Sequence, residues 1–205
     1  MAWEAIDIYR QLVRTNPAPH TADLARALNI LTLNLSRAGR AHEALAAVQE
    51  AVTFYRSLTQ VDPVAYKPDL AACLHNLATC LGDVGDRSAA LAAIRETAAI
   101  RRELAARDPA THAPALAPCL HRLAKRLAEA GHRGEALETA REAVAAYRSL
   151  VRRRPEDFGR GLAGALRTYA SVLEWVGREA DAARIRQVSE AMTEETALED
   201  SIRGF

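Results

Sequence analysis

One apolar pattern is written four times along this chain. Leucines fall at Leu24, Leu28, Leu31 and Leu35, at Leu70, Leu74, Leu77 and Leu81, and at Leu116, Leu120, Leu123 and Leu127. The fourth set is Leu162, Leu166 and Leu173, with Tyr169 in the third place. Steps of four, three and four residues draw a stripe down one face of a helix, so each set predicts an amphipathic helix of roughly 18 residues, about 27 Å long. We label it helix A. It ends at a glycine, Gly39, Gly85, Gly131 or Gly177, the residue that best tolerates the left-handed conformation of a helix C-cap. A second helix, B, is read from EALAAVQEAVTFYRSL, SAALAAIRETAAIRREL and GEALETAREAVAAYRSL. Helix B stops before an Asp-Pro or its equivalent, because proline disfavours helix in the residue before it. Short connections make A and B antiparallel neighbours.

Everything recurs at a period of 46 residues, without insertion or deletion. Prolines do so at Pro17, Pro63, Pro109 and Pro155, and alanines at Ala44, Ala90, Ala136 and Ala182. The alanines stand where helix B must approach helix A closely, so a large side chain there is expected to overpack the contact. An aromatic or imidazole ring stands three residues after each proline, at His20, Tyr66, His112 and Phe158. These rings are expected just before helix A, packed over the joint between successive units. The chain opens on AWEAIDIYRQLVRTNP, which aligns with the second half of helix B and is expected to be either a cap or the cut edge of a longer array. It closes on TEETALEDSIRGF, 193–205, which leaves the repeat and reads as a tail, a short cap or an extension of helix B.

The pattern LxxL(A/T)xxL…G…EAL, with Thr32, Ala78, Ala124 and Ala170 as its small residue, resembles the tetratricopeptide repeat, whose usual unit is 34 residues. The longer unit is similar to the subclass exemplified by kinesin light chain and bacterial repeat arrays. The resemblance covers about residues 2–192; leucine stands where the family has a large aromatic at the first stripe position of helix A. It implies an all-α fold: a right-handed α-solenoid of antiparallel helix pairs, about nine helices plus a C-terminal tail. Residues 1–192 are expected to form a single solenoid, with a half-unit helix B at 1–17 and units at about 18–63, 64–109, 110–155 and 156–192.

Composition narrows the class. The chain has 205 residues, 49% hydrophobic and 5% aromatic, with a formal net charge of +1. That balance lacks the basic excess of a nucleic-acid or anionic-membrane binder. No apolar run is long enough to span a bilayer and the N-terminus has no signal-peptide core, so a cytoplasmic protein is expected. The basic run Arg152, Arg153, Arg154 ends a helix B, where cations complement the helix dipole.

The resemblance implies ligand binding on the helix A face opposite the leucines, the concave face of such solenoids. By helical angle that face carries Arg26 and Asn29 in the first unit, His75, Asn76 and Thr79 in the second, His121, Arg122 and Lys125 in the third, and Arg167 in the fourth. Asn76, in LHNLA, stands at the asparagine position that peptide-binding members use; Ile30, Arg122 and Thr168 occupy it in the other units. The expected partner is a protein or peptide, an acidic segment suiting these donors, and the expected role is a non-enzymatic interaction scaffold. The alternative is a structural module that self-associates through the solenoid ends as a homo-oligomer.

Chemistry has few footholds. No phosphate-cradling glycine loop, paired-histidine zinc helix or nucleophile elbow is present, so neither cofactor nor metal is expected. The stretch DLAACLHNLATC, 69–80, crowds Asp69, Cys73, His75, Asn76 and Cys80 together. At 100° per residue, however, Cys73 and His75 point almost oppositely. Cys73 and Cys80 are about 10 Å apart along the helix, too far for a disulfide. Cys119 repeats Cys73 one unit later, as a small packing residue would. The thiols are therefore assigned to the core and His75 with Asn76 to the binding face.

Overall fold

In a computed structural model, which describes residues 2–203, the described residues form nine α-helices and the fold is an all-α helical-repeat solenoid. A helices are α2 (Pro17–Arg37), α4 (Pro63–Asp83), α6 (Pro109–Glu129) and α8 (Pro155–Trp175); B helices are α1 (Ala2–Thr15), α3 (Ala41–Val61), α5 (Arg87–Arg107), α7 (Arg133–Val151) and α9 (Glu179–Arg203). Each A helix is 21 residues long and starts at the proline, earlier than the leucine stripe predicts. Proline is favoured in the first turn, where its missing N–H would have no partner anyway. The column of rings consequently lies inside the A helices rather than ahead of them. Asp62 caps α4 by accepting from the Ala65 N–H at 3.0 Å, and Asp108 caps α6 from Ala110 and Thr111 at 3.1 and 3.3 Å.

The four turn glycines have φ of 72°, 85°, 85° and 81°. Each closes a Schellman motif, in which the following N–H reaches back to the last leucine of the stripe: Arg40 to Leu35, Asp86 to Leu81, His132 to Leu127 and Arg178 to Leu173, at 2.8–2.9 Å. A side chain at these positions would be strained by its own backbone.

The helices fall into two units that divide between Leu104 and Ala105, inside α5. In the first, Leu24, Leu28, Leu31, Leu35, Leu70 and Leu74 form a core with Ala44, Val48, Ala51, Val52 and Tyr55 of α3, closed at the other side by Ile6 of α1. Tyr66 lies against it, its ring 6.5 Å from that of Tyr55, as expected of a ring over a joint. Salt bridges tie B helices to one another: Arg10 meets Glu50 at 2.6 Å, and one repeat later Arg56 meets Glu96 at 2.8 Å. In the second unit Leu120, Leu123, Leu127, Leu162, Leu166 and Leu173 are buried, with Val144, Tyr147 and Leu150 of α7. Ser189 of α9 donates to the Ala163 carbonyl at 3.1 Å. The alanine column is buried at every turn of the repeat, with Ala44, Ala90, Ala136 and Ala182 all at 0–1% exposure. The backbone of 193–203 continues α9; the side chains of the expected tail, and Gly204 and Phe205, lie outside the described residues.

Candidate functional site

The A helices leave unburied the face opposite their leucines, and the nine expected binding residues divide between the units. Arg26, Asn29, His75, Asn76 and Thr79 stand on α2 and α4 in the first. There Asn76 donates an amide N–H to Asn29 Oδ1 at 2.8 Å. This bond joins neighbouring A helices across a separation of 47 residues, one more than the repeat. It leaves Asn29 Nδ2 and Asn76 Oδ1 outside the pair, a donor and an acceptor. Thr79 donates its hydroxyl to the His75 carbonyl of its own helix at 3.1 Å, so its donor is already engaged. Arg26 is exposed and paired with Asp23 at 3.2 Å.

His121, Arg122, Lys125 and Arg167 stand on α6 and α8 in the second unit. His121 Nε2 and Thr168 Oγ1 are 2.8 Å apart, again at a separation of 47. Burial, with the Lys125 and Arg167 cations nearby, holds the His121 imidazole below its ordinary pKa. It is therefore neutral at pH 7, and the 2.8 Å contact is a neutral hydrogen bond. Beside it lies a shallow depression of about 390 Å³. Lys125 and Arg167 supply its cations, Thr168 and Ser171 its hydroxyls, Ala128 and Val172 its apolar floor, and Trp175 a wall. Arg133 sits over the Trp175 ring, 4.7 Å from its centroid. Glu129, the acid in the lining, is held by Arg126 at 3.1 Å. Arg122, on the same helix, is exposed.

Thr168, Ser171 and Trp175 were not among the expected binding residues, although helical angle alone puts them on the same face. A second hollow, about 360 Å³, lies at the joint of α6, α7 and α8, with Pro109, Pro114, Leu150 and Phe158 in its walls. Phe158 carries the Arg154 guanidinium 5.1 Å above its ring, as a joint-packing residue.

The thiols take no part. Cys73 and Cys119 are 0% exposed and Cys80 is 1%. Burial, aided by the Asp69 carboxylate, pushes the Cys73 thiol up to about 12, and burial likewise raises Cys80, whose sulfur lies 3.7 Å from Ser36 Oγ. A thiol so placed is neither nucleophile nor metal ligand at neutral pH. Among the described residues no three His, Cys, Asp or Glu side chains are grouped to hold a metal ion, and no helix is long and apolar enough to cross a membrane.

A model of the tetratricopeptide repeat matches residues 70–109. No curated protein matches the chain in sequence. Solved structures match in fold. MamA superposes with a TM-score of 0.61 at 15% identity, over 94% of this chain and 89% of MamA. A putative kinesin light chain from Podosopora anserina, described by its nearly identical TPR-like repeats, gives 0.64 at 17% identity, over 95% of this chain and 88% of the other. Aspartyl phosphate phosphatase F from Bacillus subtilis gives 0.65 at 12% identity, over 86% of this chain but 42% of the phosphatase. At these identities the likeness is one of fold.

Proposed function

From a chain that carries a tetratricopeptide repeat and folds as tetratricopeptide-repeat proteins do, we propose a protein-interaction scaffold whose A-helix face binds an extended, acidic peptide segment. The observation that carries this reading is the lining beside His121. Lys125 and Arg167 bring two cations to one depression, Thr168 and Ser171 also line it, and Trp175 offers an apolar wall. A peptide carboxylate meets both cations through charge-assisted hydrogen bonds, while a neighbouring apolar side chain packs on the indole. In the first unit the Asn29–Asn76 pair keeps one donor and one acceptor, the two functions a peptide backbone unit requires.

Binding rather than catalysis is the reading these groups support. Cys73 and Cys80 are held protonated, and the half-buried His121 imidazole is bonded to a neutral threonine rather than to a carboxylate that would activate it. We place the scaffold in the cytoplasm, in keeping with its buried reduced thiols.

An array of acidic dodecapeptides, read by fluorescence anisotropy against the full chain, tests the proposal. The expected result is saturable binding that weakens roughly tenfold or more, worth about 1.4 kcal/mol, in Lys125→Glu and in Arg167→Glu. Asn76→Ala and Arg122→Glu are expected to weaken it less. Affinity unchanged in both charge reversals removes this face from the interaction.

A further inference from the structure

Four large apolar side chains are exposed at the α1–α2 end of the first unit: Ile8 at 58%, Leu12 at 36%, Ile30 at 55% and Leu33 at 42%. The internal repeat says what they lack. Asn76 is the residue through which α4 bonds the preceding A helix, and Thr168 does the same for α8. Ile30 stands at that position in α2, and no A helix precedes α2 among the described residues. The same holds on α1. Phe54 and Ile100, one and two repeats after Ile8, are half-buried, and so is Leu58 after Leu12, with Leu104 buried. Among the described residues α1 and α3 both have helices after them, and α3 also has helices before it. The uncovered side chains thus mark a single seat, lying on α1 and α2, of the kind an A helix fills elsewhere in the repeat.

Charge narrows the occupant. On α2 the sequence Arg26, Ile30, Leu33, Arg37 runs along one stripe, an apolar pair with a cation at each end, about 17 Å from first to last. Arg37 has no ion pair among the described residues, and Arg26 is held by Asp23 across one turn. Two such stripes facing each other would set arginine against arginine, which disfavours a symmetric pairing of this face with itself. A helix with apolar and acidic residues fits instead. The chain has one in α9: at 25 residues it is the longest helix, Val188 on it is 43% exposed, and its sequence then carries Glu194, Glu195, Glu199 and Asp200 before Arg203.

We propose that the α1–α2 face seats the acidic C-terminal stretch of α9 from a second copy of this chain. The two surfaces are unlike, so the contact is head to tail, and association grows with concentration instead of stopping at a self-complementary dimer. Because the attraction is between an acidic segment and an exposed arginine, added salt weakens it.

Sedimentation velocity of the full chain, from low to high micromolar concentration, tests this. Expected is an average mass that rises with concentration and falls with salt. Ile30→Asp and, separately, Arg37→Glu shift the association to roughly tenfold higher concentration or beyond, with circular dichroism unchanged because both side chains are exposed. Replacing Glu194, Glu195 and Glu199 together by lysine does the same, and mixing that chain with Arg37→Glu restores association. A wild-type chain that remains monomeric throughout overturns the proposal. So does association that is indifferent to both Arg37→Glu and the triple replacement.

Discussion

Asn76 reaches Asn29 with a 2.8 Å hydrogen bond across 47 residues, and His121 reaches Thr168 at the same separation and distance. Adjacent A helices within each unit are therefore out of step by one residue relative to the repeat. A double-mutant cycle on Asn29→Ala and Asn76→Ala should return a coupling of about 0.5–1.5 kcal/mol in chemical denaturation, the net worth of a half-buried hydrogen bond. Strictly additive losses would mean that the pair does not join α2 to α4 in solution.

The His121–Thr168 contact makes stability depend on pH. Its imidazole titrates below the ordinary value because of burial and the adjacent Lys125 and Arg167 charges. The unfolded chain therefore binds more protons than the folded one as pH falls through about 6.5. Stability is full above that value and declines on acidification toward the lower folded pKa. In His121→Gln the part of the decline owed to this group should vanish, as read by the melting temperature from pH 7.5 to 5.5, about the range in which a histidine titrates. An acidic ligand that screens Lys125 and Arg167 should raise the His121 pKa and draw protons up on binding. Calorimetry in two buffers of different ionisation heat measures that uptake.

Close packing at the A–B contact gives a sharper stability test. A Cβ at Gly161 would fall 2.8 Å from Cζ of Tyr147, a ring only 6% exposed. Gly161→Ala should destabilise by about 1–3 kcal/mol because the ring must move within a packed core. Gly159→Ala, two residues away, meets nothing within 4 Å and should gain about 0.5–1 kcal/mol from helix propensity. Melting temperatures moving in opposite directions for the two variants are the expected outcome.

The thiols provide a fourth check. Cys73, pushed up to about 12 and buried, should resist an aromatic disulfide reagent at pH 8 in the native state, since thiolate would be on the order of one part in ten thousand there. Cys80 and Cys119 should behave alike. All three should react within the mixing time once guanidinium unfolds the chain, and rapid native labelling of any of them would contradict the packing assignment.

The separation of buried Cys73 and Cys80 from half-buried His75 and Asn76 was legible from helical angle alone, because 100° per residue fixes which side chains cannot meet. So were the turn glycines and the alanine column, since local backbone conformation and close approach each restrict residue type. The start of helix A was not: the leucine stripe marks what faces the core, while Pro17 and its equivalents extend the helix about two turns ahead of any buried residue. The one-residue offset was hidden for a different reason. Columns of a repeat identify equivalent residues, not neighbouring ones, and the sliding of one A helix against the next is set by packing. Columns align Asn76 with Ile30 and Thr168 with Arg122, whereas within each unit the bonds run from Asn29 to Asn76 and from His121 to Thr168. The same limit concealed Arg10–Glu50 and Arg56–Glu96, whose separations of 40 residues reflect helix B lying beside helix B.

Peptide binding at the A-helix face has a direct spectroscopic signature. An NMR titration with the tightest acidic dodecapeptide from the array reads it most directly. Shifts concentrated at His121, Lys125, Arg167, Thr168 and the Trp175 indole, with the His121 ring moving toward its protonated form, are predicted. Saturable binding that instead shifts the exposed faces of α3 and α7, leaving the Trp175 indole unmoved, would contradict it.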